Sequence, residues 1–327
     1  MRSMSQICLL VFVFLSSLNP VLAEPKVELS FEVNKKVSAV PLSILARIGE
    51  MLFGATQTVD RFSVINGVAV DAQDNIYLTD SEKERVVILN KEGKALPRGG
   101  EIGRRIFKNP MGIAVDSRGR IYVTDTILNK LFIFDKNGVL LQSLLGDGTE
   151  RGSFLRPSGV VVDEAQQRII VSDTGNHRLQ IFDLQGKFIS FLGKNGNREK
   201  EFLFPTFLAQ DSLGRTYVVD TINQRIQIFD KDLNFAGKFG DAGDILGYFG
   251  RPKGIAVDAA GNIFVSDSYF NVISIFDKER KPLLFFGRND SGKGNLYVPM
   301  GLAINSQGEV IVADSQNLRA AVFKVTW

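Results

Sequence analysis

The chain of 327 residues contains one cysteine, one histidine and one tryptophan. With Cys8 alone, no intramolecular disulfide can form, and its place inside an N-terminal apolar run offers no setting for a thiol nucleophile. A lone histidine, His177, cannot build a multi-histidine zinc site, and it would need partners to serve as a general base. No apolar run reaches the ~20 residues that a membrane-spanning helix requires. An excess of one charge is missing as well: 39 Lys and Arg stand against 36 Asp and Glu. That balance lacks the concentrated basic footprint of a general nucleic-acid binder. Neither a nucleophile elbow nor a glycine-rich phosphate loop stands between a strand and a helix. What the chain does have is 31 glycines and 25 phenylalanines, a composition that points to turn-rich, aromatic-rich β structure.

The N-terminus has the pattern of a signal peptide over residues 1–23. Arg2 supplies a positive start, Ile7 to Leu18 is mostly apolar, and Val21 and Ala23 are small residues placed for cleavage. The expectation is an exported protein, periplasmic or extracellular, whose cleaved form has no cysteine. Membrane attachment would come only through an uncleaved signal anchor. Residues 24–36 are expected to form a leader or an edge segment, around the alternating stretch VELSFEV.

From residue 37 to 327 the chain repeats itself. "MGIAVDSRGRIYVTD" (111–125), "KGIAVDAAGNIFVSD" (253–267) and "MGLAINSQGEVIVAD" (300–314) are three of six such units. The closing aspartates, Asp80, Asp125, Asp173, Asp220, Asp267 and Asp314, are spaced by 45, 48, 47, 47 and 47 residues. This period fits a four-stranded propeller blade. Each unit holds short apolar strands separated by Gly, Asn and Asp turns, as in an up-and-down antiparallel sheet. A single sheet cannot bury both faces, so the blades must stack radially. The expected fold is all-β, a six-bladed propeller. The last unit lacks a fourth strand, and "PLSILARIG" (41–49) is expected to supply it from the N-terminus and close the ring. An apolar residue three places before a proline recurs at Phe107/Pro110, Phe154/Pro157, Phe202/Pro205, Phe249/Pro252 and Leu296/Pro299, and reads as a plug between blades.

These units resemble NHL repeats, whose pattern runs Pro-x-Gly-[IV]-Ala-Val-Asp, then Gly-x-[IV]-[YF]-Val-x-Asp, then Asn-x-Arg-[IV]-x-x-Phe. The third unit carries it nearly whole, in Pro157, Gly159, Val162, Asp163, Val171, Asp173, Asn176, Arg178, Ile181 and Phe182. The fourth departs, with Phe207 in place of Gly and Gln210 in place of Val. The resemblance implies the same six-bladed fold. Related propellers include amidating and streptogramin lyases that rely on histidines, a set this chain lacks. Others are lactonases whose calcium is held by Glu, Asn and Asp, which the sequence leaves open.

Candidate sites divide into two kinds. The closing aspartates recur with a basic residue five places on, at Arg85, Lys130, Arg178, Arg225 and Arg319, with Val272 in the fifth unit. A repeated residue answers a repeated need, so these are assigned to turns and ion pairs. A second set, Asp71, Asp116, Asp163, Asp211, Asp258 and Asn305, is likewise assigned to turns and not to a cation site. No catalytic residue, metal or cofactor is expected. His177 is read as an exposed loop residue, because Glu84, Asn129, Gln224, Asn271 and Leu318 replace it elsewhere.

Binding is expected where the repeats differ, in loops gathered at one face. The candidates are Arg104, Arg105, Lys108, Arg156 and Arg251 in the loops leading into each blade, beside Lys253. Ile127, Leu128, Asn223, Tyr269 and Phe270 join them from the second turns. Aromatics beside basic groups suit a protein or polymer surface. The expected function is a non-enzymatic binding or scaffold module, monomeric, with an envelope protein or polymer as partner. The alternatives are a divergent metal-dependent lactonase or lyase, with oxygen ligands in the channel, and an anionic-polymer or nucleic-acid binder. Export counts against nucleic acid.

Overall fold

A computed structural model describes residues 26–33, 62–96, 100–144, 148–287 and 294–326. Among them are six four-stranded antiparallel sheets, in order along the chain. The innermost strands are Ile65–Val70, Pro110–Val115, Pro157–Asp163, Pro205–Gln210, Pro252–Val257 and Pro299–Ile304. They define blades 1 to 6. The head of each inner strand pairs with the closing aspartate of the second strand, as in Pro157↔Asp173. That aspartate in turn pairs with the first residue of the third strand, as in Asp173↔Arg178. The register shifts just after the proline. An irregular strand head of this kind tolerates a residue without an N–H.

The cores lie between blades. Ile121, Phe132 and Phe134 of blade 2 pack with Val86 and Ile88 of blade 1 around Phe107. Phe154, Phe202, Phe249 and Leu296 take the same place at the next four junctions. All five plugs are buried, and the phenylalanines meet neighbouring rings at centroid distances such as 5.3 Å for Phe107 and Phe132. Ile311, Ala313, Ala320 and Val322 of blade 6 pack against Ile65, Ile76, Leu78 and Val87 of blade 1. That core completes the ring.

Glycine sets the spacing at the channel. A Cβ on Gly112 would overlap the Ser158 carbonyl, and one on Gly254 would overlap that of Met300, each on the following blade. Gly301 stands in the same relation to Asn66, from blade 6 to blade 1. Blade 4 has the larger Phe207 at this position, and its side chain is buried.

The fourth strand of the last sheet is Lys26–Val33, antiparallel to Arg319–Thr326 with Lys26 opposite Thr326 and Val33 opposite Ala320. The segment Pro41–Gly49, expected in this role, lies outside the described residues, as does the signal segment 1–23. Alternating strand directions put the lead-in loops and the second turns on one face. The first turns and third turns lie on the other.

Candidate functional site: the loop face and the channel mouth

The loop face is built on the closing aspartates. Each carboxylate reaches back to the loop that leads into its own blade. Asp80 accepts from the Ser63 N–H at 3.2 Å, Asp173 from Leu155 at 2.7 Å, Asp220 from Leu203 at 2.7 Å and Asp314 from Tyr297 at 2.7 Å. Asp267 takes four backbone donors, from Gly250, Arg251, Tyr269 and Phe270. Asp125 does the same with Lys108, Asn109, Ile127 and Leu128. Lys130 makes no pair with it. Burial pushes the Asp80 and Asp314 carboxyls up, against the opposing pull of Arg85 and Arg319 and of their donors.

The arginines five places on fix the same loops from beneath. Arg178 Nε donates to Asp173 at 2.8 Å, while its Nη2 donates to the carbonyls of Glu150 and Ser153. Arg225 holds Asp220 at 2.8 Å and the carbonyls of Asn197, Arg198 and Glu201. Arg319 joins Asp314 to the Asn295 carbonyl, and Arg85 lies fully buried between Asp80 and Glu101. Gln180 and Gln227 extend the clamp in blades 3 and 4: each donates to the closing aspartate and to a loop carbonyl, and accepts a loop N–H. Their periodicity was visible in RLQIF and RIQIF, but only these two blades use it.

A third set of residues links one blade to the next. Glu84, Asn129, His177, Gln224, Asn271 and Leu318 all have left-handed backbone, with φ between 51° and 60°. That conformation turns the side chain toward the following blade. Asn129 accepts from the Arg156 N–H at 2.7 Å, and Asn271 from Val298 at 2.8 Å. Gln224 donates to the Gly250 carbonyl, and Glu84 pairs with Lys108 at 3.0 Å. His177 Nδ1 accepts from Phe204 at 3.1 Å. The histidine is therefore half-buried and engaged, not a loose loop residue, and desolvation lowers its pKa.

The candidate binding residues separate accordingly. Ile127 and Tyr269 are 64% and 69% exposed, and Arg105, Arg156 and Arg251 project from the same face. Phe270 is half-buried, its ring edge-on to Tyr269 at 5.1 Å. Arg104 and Lys108 are exposed but paired, with Glu101 and Glu84. Asn223 is turned inward, donating to Gly196 and Asp220. Leu128 packs against the core between blades 1 and 2. Leu155, Phe204, Ile222, Tyr297 and Leu318 are exposed on this face too. Leu155, Phe204 and Tyr297 lie in lead-in loops, and Ile222 and Leu318 in second turns as Ile127 and Tyr269 do. At the turns of the opposite face the exposed large apolar residues are Leu213 and Val139.

At the centre of the loop face stands the second residue of each inner strand, which follows Ile65 in blade 1 and a proline in the other five. Asn66, Ser158 and Thr206 bond to a hydroxyl just past the closing aspartate of their own blade, at 3.0, 2.6 and 2.8 Å. Lys253 has the equivalent place in blade 5. Its ammonium meets no carboxylate among the described residues, and burial with the nearby Arg251 and Arg156 lowers its pKa to about 8.

The other mouth is chemically quiet. Asp71 caps its turn through the N–H groups of Gln73 and Asn75 and accepts from the Tyr77 hydroxyl. Asp116 and Asp211 each hold a turn, an arginine and a tyrosine. Those tyrosines are pushed up by burial and by the aspartate, Tyr217 to about 12. Among the described residues no group of His, Cys, Asp or Glu is arranged to hold a metal ion.

Six such blades around a channel define a six-bladed β-propeller. Within that class the chain is similar to NHL-repeat propellers: the NHL repeat profile matches residues 154–182, in blade 3, and the other five blades follow the same strand plan. No curated protein matches it by sequence. Solved structures share the fold at low identity. A gluconolactonase from Xanthomonas campestris is 16% identical with a TM-score of 0.61, over 82% of this chain and 88% of that one. A catalytically inactive virginiamycin B lyase from Staphylococcus aureus, with quinupristin, is 14% identical at 0.56, over 88% and 82%. A chain of a nidogen/laminin complex is 19% identical at 0.57, over 68% and 80%. Enzymes and an interaction domain thus share this architecture, and the fold alone does not choose between them.

Proposed function

We propose that the protein is an exported, non-enzymatic binding module that recognises an envelope protein or polymer through its loop face. The observation that carries this is sidedness. Ile127, Leu155, Phe204, Ile222, Tyr269, Tyr297 and Leu318 stand exposed on one face, while the turns of the other expose Leu213 and Val139; the remaining exposed apolar residues on the strands, Leu140, Leu141, Ile189, Phe191 and Phe285, lie on the outer fourth strands. Monomeric proteins seldom leave apolar and aromatic side chains gathered on one surface without a partner. The same loops are held by buried carboxylates, arginines and glutamines, so the surface is preformed and loses little entropy on docking. The signal-like N-terminus supports an envelope setting. The test is affinity capture from an envelope extract by the wild type, by a Tyr269→Ser/Ile222→Ser variant and by Leu213→Ser. A defined band lost only in the loop-face variant supports the reading. Equal capture by all three contradicts it.

A further inference from the structure

We infer that the head of the inner strand of blade 5 is an oxyanion site, in which Lys253, Arg251 and Arg156 receive a carboxylate or phosphate group presented by the docked partner. This rests on the loop face being the docking face. The geometry is set by the fold. Lys253 follows Pro252 at the start of an innermost strand, and so stands at the rim of the central channel. Arg251 precedes that proline, and Arg156 precedes the corresponding Pro157 two blades away. Burial is the chief cause that disfavours the Lys253 charge, and the two arginines add repulsion to it.

None of the three side chains has a carboxylate or carbonyl partner among the described residues. The arginines that open the third strands differ in this. Arg85, Arg178, Arg225 and Arg319 are each locked to an aspartate, and Lys108 is paired with Glu84. The polar residues equivalent to Lys253 are satisfied by hydroxyls of their own blade, whereas Ser268, its neighbour in blade 5, bonds instead to the Arg251 carbonyl. A half-buried amine that faces like charges and meets no acceptor is unfavourable in the unliganded protein. An anion entering the mouth would relieve both the repulsion and the missing hydrogen bonds. Arginine forks suit the planar oxygens of a carboxylate and the face of a phosphate equally, so the shared chemistry is an oxyanion. Tyr269 rises beside Gly250 on the same blade, where apolar contact would flank the charge.

The experiment is calorimetric titration of the purified protein with citrate and with inorganic phosphate, at constant ionic strength set with chloride. Lys253→Met, Arg156→Ala and the control Lys194→Met are titrated alongside. Methionine already stands at the equivalent positions 111 and 300, so Lys253→Met is compatible with the fold. The expected result is binding of at least one probe, weakened tenfold or more by Lys253→Met and by Arg156→Ala and unchanged by Lys194→Met. Citrate alone would identify a carboxylate ligand, and phosphate alone a phosphorylated one. If neither probe binds, or if Lys253→Met binds as the wild type does, the inference is overturned. Loss of partner capture in Tyr269→Ser/Ile222→Ser would in that case leave the docking face standing without its anion site.

Discussion

His177 of blade 3 accepts the backbone N–H of Phe204, which leads into blade 4, at 3.1 Å, and the two rings meet edge-on with centroids 4.5 Å apart. Nδ1 can accept only while it is unprotonated. Desolvation holds the pKa below its ordinary value, so the folded protein resists a proton that the unfolded chain takes up at about 6.5. Stability is therefore full above about pH 6.5 and declines as pH falls through the lowered folded value. Urea denaturation at about pH 7.5 and 5.5 should show this loss in the wild type. His177→Asn should keep the link, because Asn129 and Asn271 make it in their own blades, and should remove this part of the pH dependence.

Arg178→Met should destabilise the protein severely. It leaves Asp173 buried without its ion pair and orphans the Glu150 and Ser153 carbonyls. Breaking a buried pair from one side costs about 3–5 kcal/mol. Gln180→Ala, which removes one hydrogen bond to the same carboxylate and two to the lead-in loop but leaves the ion pair, should cost about 1–3 kcal/mol. Equilibrium urea curves for the two variants give the ranking directly.

Gly254→Ala tests the close approach of blades at the channel. The added methyl meets the backbone carbonyl of Met300, which cannot rotate away. Overpacking of this kind costs about 1–3 kcal/mol or more. Phe249→Ala, which empties the junction between blades 4 and 5, should cost about 3–5 kcal/mol. Thermal melts should place both well below the wild type, and Gly308→Ala, where no atom lies near the new methyl, above Gly254→Ala.

The period, the plugs and the closing aspartates were legible in the sequence because each answers a need that recurs in every blade. Closure was harder. Pro41–Gly49 ends in Ile-Gly as other fourth strands do, yet the strand paired with Arg319–Thr326 is Lys26–Val33, whose alternation in VELSFEV carries the same information. Pairing partners lie far apart in sequence, and a two-residue ending cannot identify them. The position of His177 looked tolerant because its residue type varies. What stays constant there is the left-handed backbone and the reach to the next blade, which acids, amides and imidazole can all exploit. Lys253 passed as one more basic loop residue. Its lack of a partner is a property of the assembled ring, and no local pattern announces it.

Lys253 carries a pH signature of its own. With its folded pKa lowered to about 8, the unfolded lysine keeps a proton that the folded one has lost between about pH 8 and 10.5. Stability should accordingly rise as pH increases across that interval, and Lys253→Met should abolish that rise. Affinity for an oxyanion should run the other way, falling as pH climbs past about 8 and the ammonium disappears. Calorimetry at about pH 7 and 9.5 reads the second effect.

In the proposed function the partner docks on the face of the lead-in loops and second turns. Amide hydrogen exchange on the purified protein, alone and bound to its captured partner, tests it most directly. Slowed exchange should appear at 126–129, 221–224 and 268–271, with the first turns at 71–75 and 211–215 unchanged. Protection confined to the first turns would place the partner on the opposite face and contradict the account.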